Sequence, residues 1–131
     1  MHDQPDPDDL LRAVADFLRE QAMPQLQGQT AFHARVAANL LELVRRQIAH
    51  APQADALERA GLRQLLQADG SVAELNRLLC ARIASNELDP KSPKLVEHLW
   101  QVTLAKLAVD QPGYATYRRA VAAADPPEQT P

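Results

Sequence analysis

Residues 30–50, TAFHARVAANLLELVRRQIAH, decide the fold class. Advancing about 100° per residue, as an α-helix does, gathers Phe32, Val36, Leu40, Leu43, Val44 and Ile48 into one apolar stripe. Thr30 is placed to cap such a helix. Arg35, Asn39, Glu42 and Arg46 follow one flank at spacings of three and four, and Glu42 can pair with Arg46 across one turn. No stretch of the chain shows the β-branched alternation of a strand.

The helical period recurs on both sides of this stretch. Residues 7–22 place Leu10, Val14, Phe17 and Leu18 opposite Arg12, Asp16 and Glu20, with Asp6 as cap and Pro7 in the first turn. Pro24 ends that segment and Gly28 opens the turn. A third segment, 53–67, carries Leu57, Leu62, Leu65 and Leu66 and stops at Asp69-Gly70. Ser71 and Glu74 have the spacing of a capping box for a fourth segment with Val72, Leu75, Leu79 and Ile83 as its core face. A fifth runs over 93–110 and breaks at Pro112-Gly113. A last short helix holds Tyr114, Tyr117, Arg118 and Val121. The expected fold is all-α, a compact antiparallel bundle of five to six helices. It forms one domain over 7–123, between flexible tails at 1–6 and 124–131.

Composition narrows the function classes. The chain has 131 residues, 46% of them hydrophobic and only 4% aromatic, which suits one Leu- and Ala-rich helical core. A net charge of −3 gives no basic footprint for nucleic acid. No apolar run of membrane-spanning length and no apolar signal core is present, and the single Cys80 fits a reducing compartment. The expected location is therefore the cytoplasm, with no membrane and no nucleic-acid partner.

One residue breaks the pattern. Lys106 projects between the directions of Leu95 and Leu99 on a stripe completed by Val102 and Val109. Asp110 follows one turn later. A charge on a buried helix face is expensive unless paired. Two readings follow: a buried Lys106–Asp110 ion pair that fixes register, with Arg82 also in reach of Asp110, or a polar pocket. In the second, Asp110 is an acceptor or base and Lys106 an anion anchor. His33, in the first turn of the residue 30–50 helix and directed near the middle of its stripe, Asn39 at the stripe's edge and Tyr114 past Pro112 complete the candidate binding pocket.

Other chemistries are disfavoured. Thr30, Gln47 and Leu95 stand three residues before His33, His50 and His98, so no Glu-x-x-His metal motif exists. One cysteine cannot build a zinc cluster, and Cys80 reads as a small core residue. No phosphate loop or nucleophile elbow is present, so no cofactor or metal is expected. Arg45 and His50 have the arginine–histidine spacing of HEPN-type ribonucleases, but Arg46 replaces the usual polar residue. With no catalytic signature, an interaction protein is favoured over an enzyme, and a small-molecule binding or catalytic bundle around Lys106 and Asp110 is the alternative. A leftover apolar face could support a homodimer, and Trp100 marks a candidate.

Three stretches carry a resemblance. They are residues 31–39 (AFHARVAAN), 75–80 (LNRLLC) and 104–112 (LAKLAVDQP) with Tyr114 and Tyr117. Together they resemble a bacterial family of small proteins of unknown function, encoded beside aminoglycoside-phosphotransferase-like kinases and acyl-CoA dehydrogenases. The similarity spans about residues 8–120. The resemblance implies an accessory role in acyl-CoA catabolism, with one of those enzymes as partner. It assigns no residue a chemical role.

Overall fold

The computed structural model describes residues 4–124. Five α-helices follow one another: α1 (Pro7–Asp16), α2 (Gly28–Leu66), α3 (Val72–Ala84), α4 (Pro93–Asp110) and α5 (Ala115–Ala124). A π-helical turn (Phe17–Ala22) and a 3₁₀ turn (Met23–Gln25) link α1 to α2. Among the described residues there is no strand, so the all-α class holds. The expected tails fall partly on residues 1–3 and 125–131, outside the described residues. Of the rest, Asp6 caps α1 and Ala124 is the last residue of α5.

Local signals place several helix ends. Asp6 Oδ1 accepts a hydrogen bond from the Asp9 N–H at 3.0 Å. Ser71 and Glu74 form the complete reciprocal capping box. Pro93 opens α4, where its missing N–H would have no partner anyway. Gly28 sits at φ +56°, a conformation that side chains disfavour. Asn86, just past α3, also takes a left-handed conformation, which asparagine tolerates.

Two expectations about α2 are corrected. The helix starts at Gly28, so Thr30 lies inside its first turn and is not its cap. It also runs through Pro52 to Leu66, making one helix of the expected second and third segments. Proline removes the bond to the carbonyl four residues back, here Ile48, and its ring crowds that carbonyl, but the other bonds of the helix remain. Its neighbours Ala49, Ala51, Gln53 and Ala54 favour helix on both sides.

The chain divides into two compact units between Ala51 and Pro52. In the first, Arg45 on α2 grips α1. Its Nε and Nη2 donate to the two carboxylate oxygens of Asp8 at 2.8 and 2.9 Å, the bidentate geometry that suits guanidinium. Its Nη1 reaches both oxygens of Glu42 at 3.1 and 3.2 Å, and Arg19 donates to Glu42 at 3.2 Å. The Arg45 hydrogen bonds hold the Asp8 carboxyl below the usual aspartate range. Burial pushes Glu42 up, but the combined hydrogen bonds and charges of Arg19 and Arg45 outweigh it and leave Glu42 low as well. The stability both carboxylates contribute is therefore present above the ordinary carboxylate range and fades as pH falls through their lowered values.

Among the described residues of this first unit the buried positions are Ala15 of α1 and Ala38 of α2. Ala38, Glu42 and Arg45 follow one another at spacings of four and three, so alanine and ion pairs share one face of α2. Most of the stripes expected to form the core are on the outside: Leu10, Val14 and Phe17 at α1 and its π-helical extension, and Phe32, Val36, Leu40, Val44 and Ile48 on α2, are exposed, while Leu18 and Leu43 are partly buried. Alanine faces permit close approach of two helices, and the Arg45 grip holds the pair in that orientation. Leu11 and Leu41 are partly buried like Leu18 and Leu43, and the exposed rows are left facing water.

The second unit has a leucine core. Leu62 and Leu66 of α2, Leu75 and Leu79 of α3 and Leu95 of α4 are buried together, with Leu65, Val72, Ile83 and Leu88 packed against them. Each such side chain contributes about 1.5–3 kcal/mol of burial. Polar bonds pin α3 to the end of α2. Asn76 donates to Glu58 at 2.6 Å, and Arg59 donates to the Gly70 carbonyl at 2.9 Å. Arg82 donates to the carbonyl of Leu66 at 2.9 Å, satisfying one of the last carbonyls of α2. That bond replaces the expected reach of Arg82 towards Asp110. Cys80 is exposed and is not a core residue.

Candidate interaction face

Helix α4 buries a seam with spacings of three and four. Leu95 and Val109 are buried, and His98, Val102 and Ala105 between them are partly buried. Leu95, Val102 and Val109 are seven residues apart, so the inward direction repeats every second turn. The expected stripe gave Leu99 a central place, yet Leu99 is exposed. Its turn of the seam is filled by His98. That imidazole fits because α2 has a glycine opposite. A Cβ built on Gly61 would lie 2.6 Å from His98 Nδ1 and 3.1 Å from its Cε1. A glycine in mid-helix costs about 1 kcal/mol relative to alanine, and this one makes room for a ring. The isolated glycine within a helical pattern was the available signal for this contact.

Turning the seam this way puts Lys106 and Asp110 in solvent. Both are exposed, and among the described residues no polar or charged residue is buried. The premise of a charge on a buried face is therefore corrected. The two groups lie one turn apart on α4, yet neither takes part in an ion pair among the described residues. Tyr114 sits between α4 and α5, half exposed. Its N–H donates to the Gln111 carbonyl at 3.0 Å, and its own carbonyl accepts from Arg118 at the start of α5. Lys106, Asp110 and Tyr114 thus share the second unit, at the end of α4. His33 and Asn39 are exposed on the part of α2 that belongs to the first unit. The His33 ring lies edge-on to Phe32 at 5.8 Å between centroids. Arg45 is held by Asp8 and Glu42, and His50 lies inside α2, exposed.

With Lys106 exposed, its removal should be nearly neutral. Lys106→Met is expected to change the unfolding free energy by no more than about 0.5 kcal/mol. Urea denaturation measures this; a loss of about 3 kcal/mol or more would restore the buried ion pair.

What α4 does present is an apolar outer face. Val96, Leu99 and Trp100 are about half exposed and occupy adjacent positions at spacings of three and four. Thr103, one turn on, bonds its hydroxyl back to the Leu99 carbonyl at 2.7 Å. Lys106 and Asp110 continue the row as a charged border. Apolar centre and polar rim are the usual arrangement of a protein interface. Sequence reasoning singled out Trp100 for a leftover face but assigned Leu99 to the core. Nearby on α5, Ala115, Arg118, Arg119 and Ala122 line a shallow groove that excludes Lys106 and Asp110. Among the described residues no group of three His, Cys, Asp or Glu side chains could hold a metal ion. No helix among them is long and apolar enough to cross a membrane.

These features define a small all-α protein with exposed apolar helix faces. The chain belongs to the family described as a domain of unknown function, DUF6285, whose model matches residues 24–114. The matched span takes in α2, α3 and α4 together with His33, Asn39, Lys106, Asp110 and Tyr114. No curated protein and no solved structure matches the chain.

Proposed function

We propose that this chain is a cytoplasmic accessory protein, not an enzyme, that docks on a partner enzyme through the outer face of α4. The observation that carries this reading is the Val96–Leu99–Trp100 stripe, exposed and bordered by Lys106 and Asp110. Trp100 is the natural anchor, because buried tryptophans dominate interface energetics. The partner follows from the resemblance described above: a phosphotransferase-like kinase or an acyl-CoA dehydrogenase of acyl-CoA catabolism. Direct binding tests that choice of partner.

The experiment is co-expression of the tagged chain with each enzyme. Retention of one enzyme, abolished by Trp100→Glu with the helical circular dichroism unchanged, is the expected result. If neither enzyme is retained and the activity of neither responds to the added chain, the proposal fails. Retention that Trp100→Glu leaves intact removes α4 from the interface.

A further inference from the structure

We propose that a second copy of this chain packs on the outer ridge of α2, around a two-fold axis at Leu40. The ridge is Phe32, Val36, Leu40, Val44 and Ile48, one residue every four. All five are exposed, by 59, 39, 56, 42 and 47%. Such a four-residue row runs obliquely across a helix, and two of them lie parallel when helices cross at about 50°, the commonest packing class. The row therefore has the geometry of a helix contact and lacks the other helix.

Two features select a second copy as the occupant. The first is self-complementarity. Read from either end, the row runs large, valine, leucine, valine, large, with Leu40 at its centre. A two-fold axis through Leu40 sets Val36 against the copy's Val44 and Phe32 against the copy's Ile48. Closed dimers need this self-matching patch. Ala37, beside the ridge, leaves low ground for the copy's Leu40.

The second feature is charge and area. Arg45 is turned into its ion pair with Asp8 of α1 and Glu42 into its bonds with Arg45 and Arg19, so neither charge lies on the ridge. The five ridge side chains offer an acidic partner no cation. The five side chains expose on the order of 400 Å², within the range at which a contiguous apolar patch marks an interaction site. That is roughly half of the about 800 Å² each partner contributes to a standard interface. On the flanking rows His33, Ala37, Asn39 and Gln47 are exposed as well and widen the patch. This dimer is independent of the enzyme docking proposed for α4.

Sedimentation equilibrium of the full chain tests the inference. The wild type is expected to weigh twice the chain mass. Leu40→Glu and Leu40→Lys should each weaken self-association by more than about 100-fold, since the change falls twice at the centre of the interface. Mixing the two variants should restore a dimer, because the carboxylate introduced in one then faces the ammonium introduced in the other across the axis. Trp100→Glu should leave the dimer intact. A monomeric wild type overturns the proposal, as does a larger assembly or a dimer that ignores both Leu40 variants. Failure of the mixture to pair removes the axis from Leu40. Loss of helical circular dichroism in both Leu40 variants would show Leu40 packed on its own chain and also overturn the proposal.

Discussion

Leu95→Ala is expected to cost about 3–4 kcal/mol, whereas Leu99→Ala should cost less than about 1 kcal/mol. The two leucines are four residues apart on α4 and chemically identical. They differ in burial. Leu95 is fully buried among Leu62, Leu66, Leu75 and Leu79, so truncation leaves a cavity that three helices line and none can easily fill. Leu99 lies on the outer face, and water already touches it. Guanidinium denaturation of the two variants measures the contrast. Equal losses would mean that α4 is turned with Leu99 inward, and Lys106 would again be a charge on a buried face. The pair therefore reports the rotation of α4 more directly than any change at Lys106.

That rotation is where sequence reasoning and structure part company. The helices themselves were legible, because their signals are local. Asp6, the Ser71–Glu74 box and the breaks at Asp69-Gly70 and Pro112-Gly113 act over a few residues. Choosing the buried face is a different problem. An apolar stripe shows which direction prefers to leave water, not whether a neighbour is there to receive it. On α1 and the part of α2 up to Ala51, Leu10, Val14, Phe32, Val36, Leu40, Val44 and Ile48 are exposed, while Ala15, Ala38 and the Asp8–Arg45–Glu42 bonds face inward. No spacing rule announces that alanine will outcompete Phe32 for the interior. The outcome depends on a partner helix that carries Asp8, 37 residues away in sequence from Arg45. Pro52 misleads for another reason, since one lost hydrogen bond does not end a helix whose flanks favour it. The candidate pocket of His33, Asn39, Lys106, Asp110 and Tyr114 grew from the stripe on α4. Once the seam is set by Leu95, Val102 and Val109, Lys106 lies off it.

Gly61→Ala is expected to destabilise the chain by about 1–2 kcal/mol, against the intrinsic preference of a helix. In an open helix the same change stabilises by about 1 kcal/mol. Here the new methyl would stand 2.6 Å from His98 Nδ1, well inside van der Waals contact, and overpacking of this kind costs about 1–3 kcal/mol. The imidazole is partly buried in the α4 seam between Leu95 and Val102, so relieving the contact means moving the ring out of that seam. Removing the ring separates the two effects. In a His98→Ala background the clash is gone, and Gly61→Ala should then stabilise by about the full helix-propensity gain. The double-mutant cycle is accordingly expected to show a coupling of about 2–3 kcal/mol between positions 61 and 98. Thermal and urea unfolding of the four proteins measure it. If Gly61→Ala stabilises the wild-type background as much as the His98→Ala background, the two residues do not touch. The histidine would then be a solvent-facing residue, and the spacing of the α4 seam would lose its explanation at that turn.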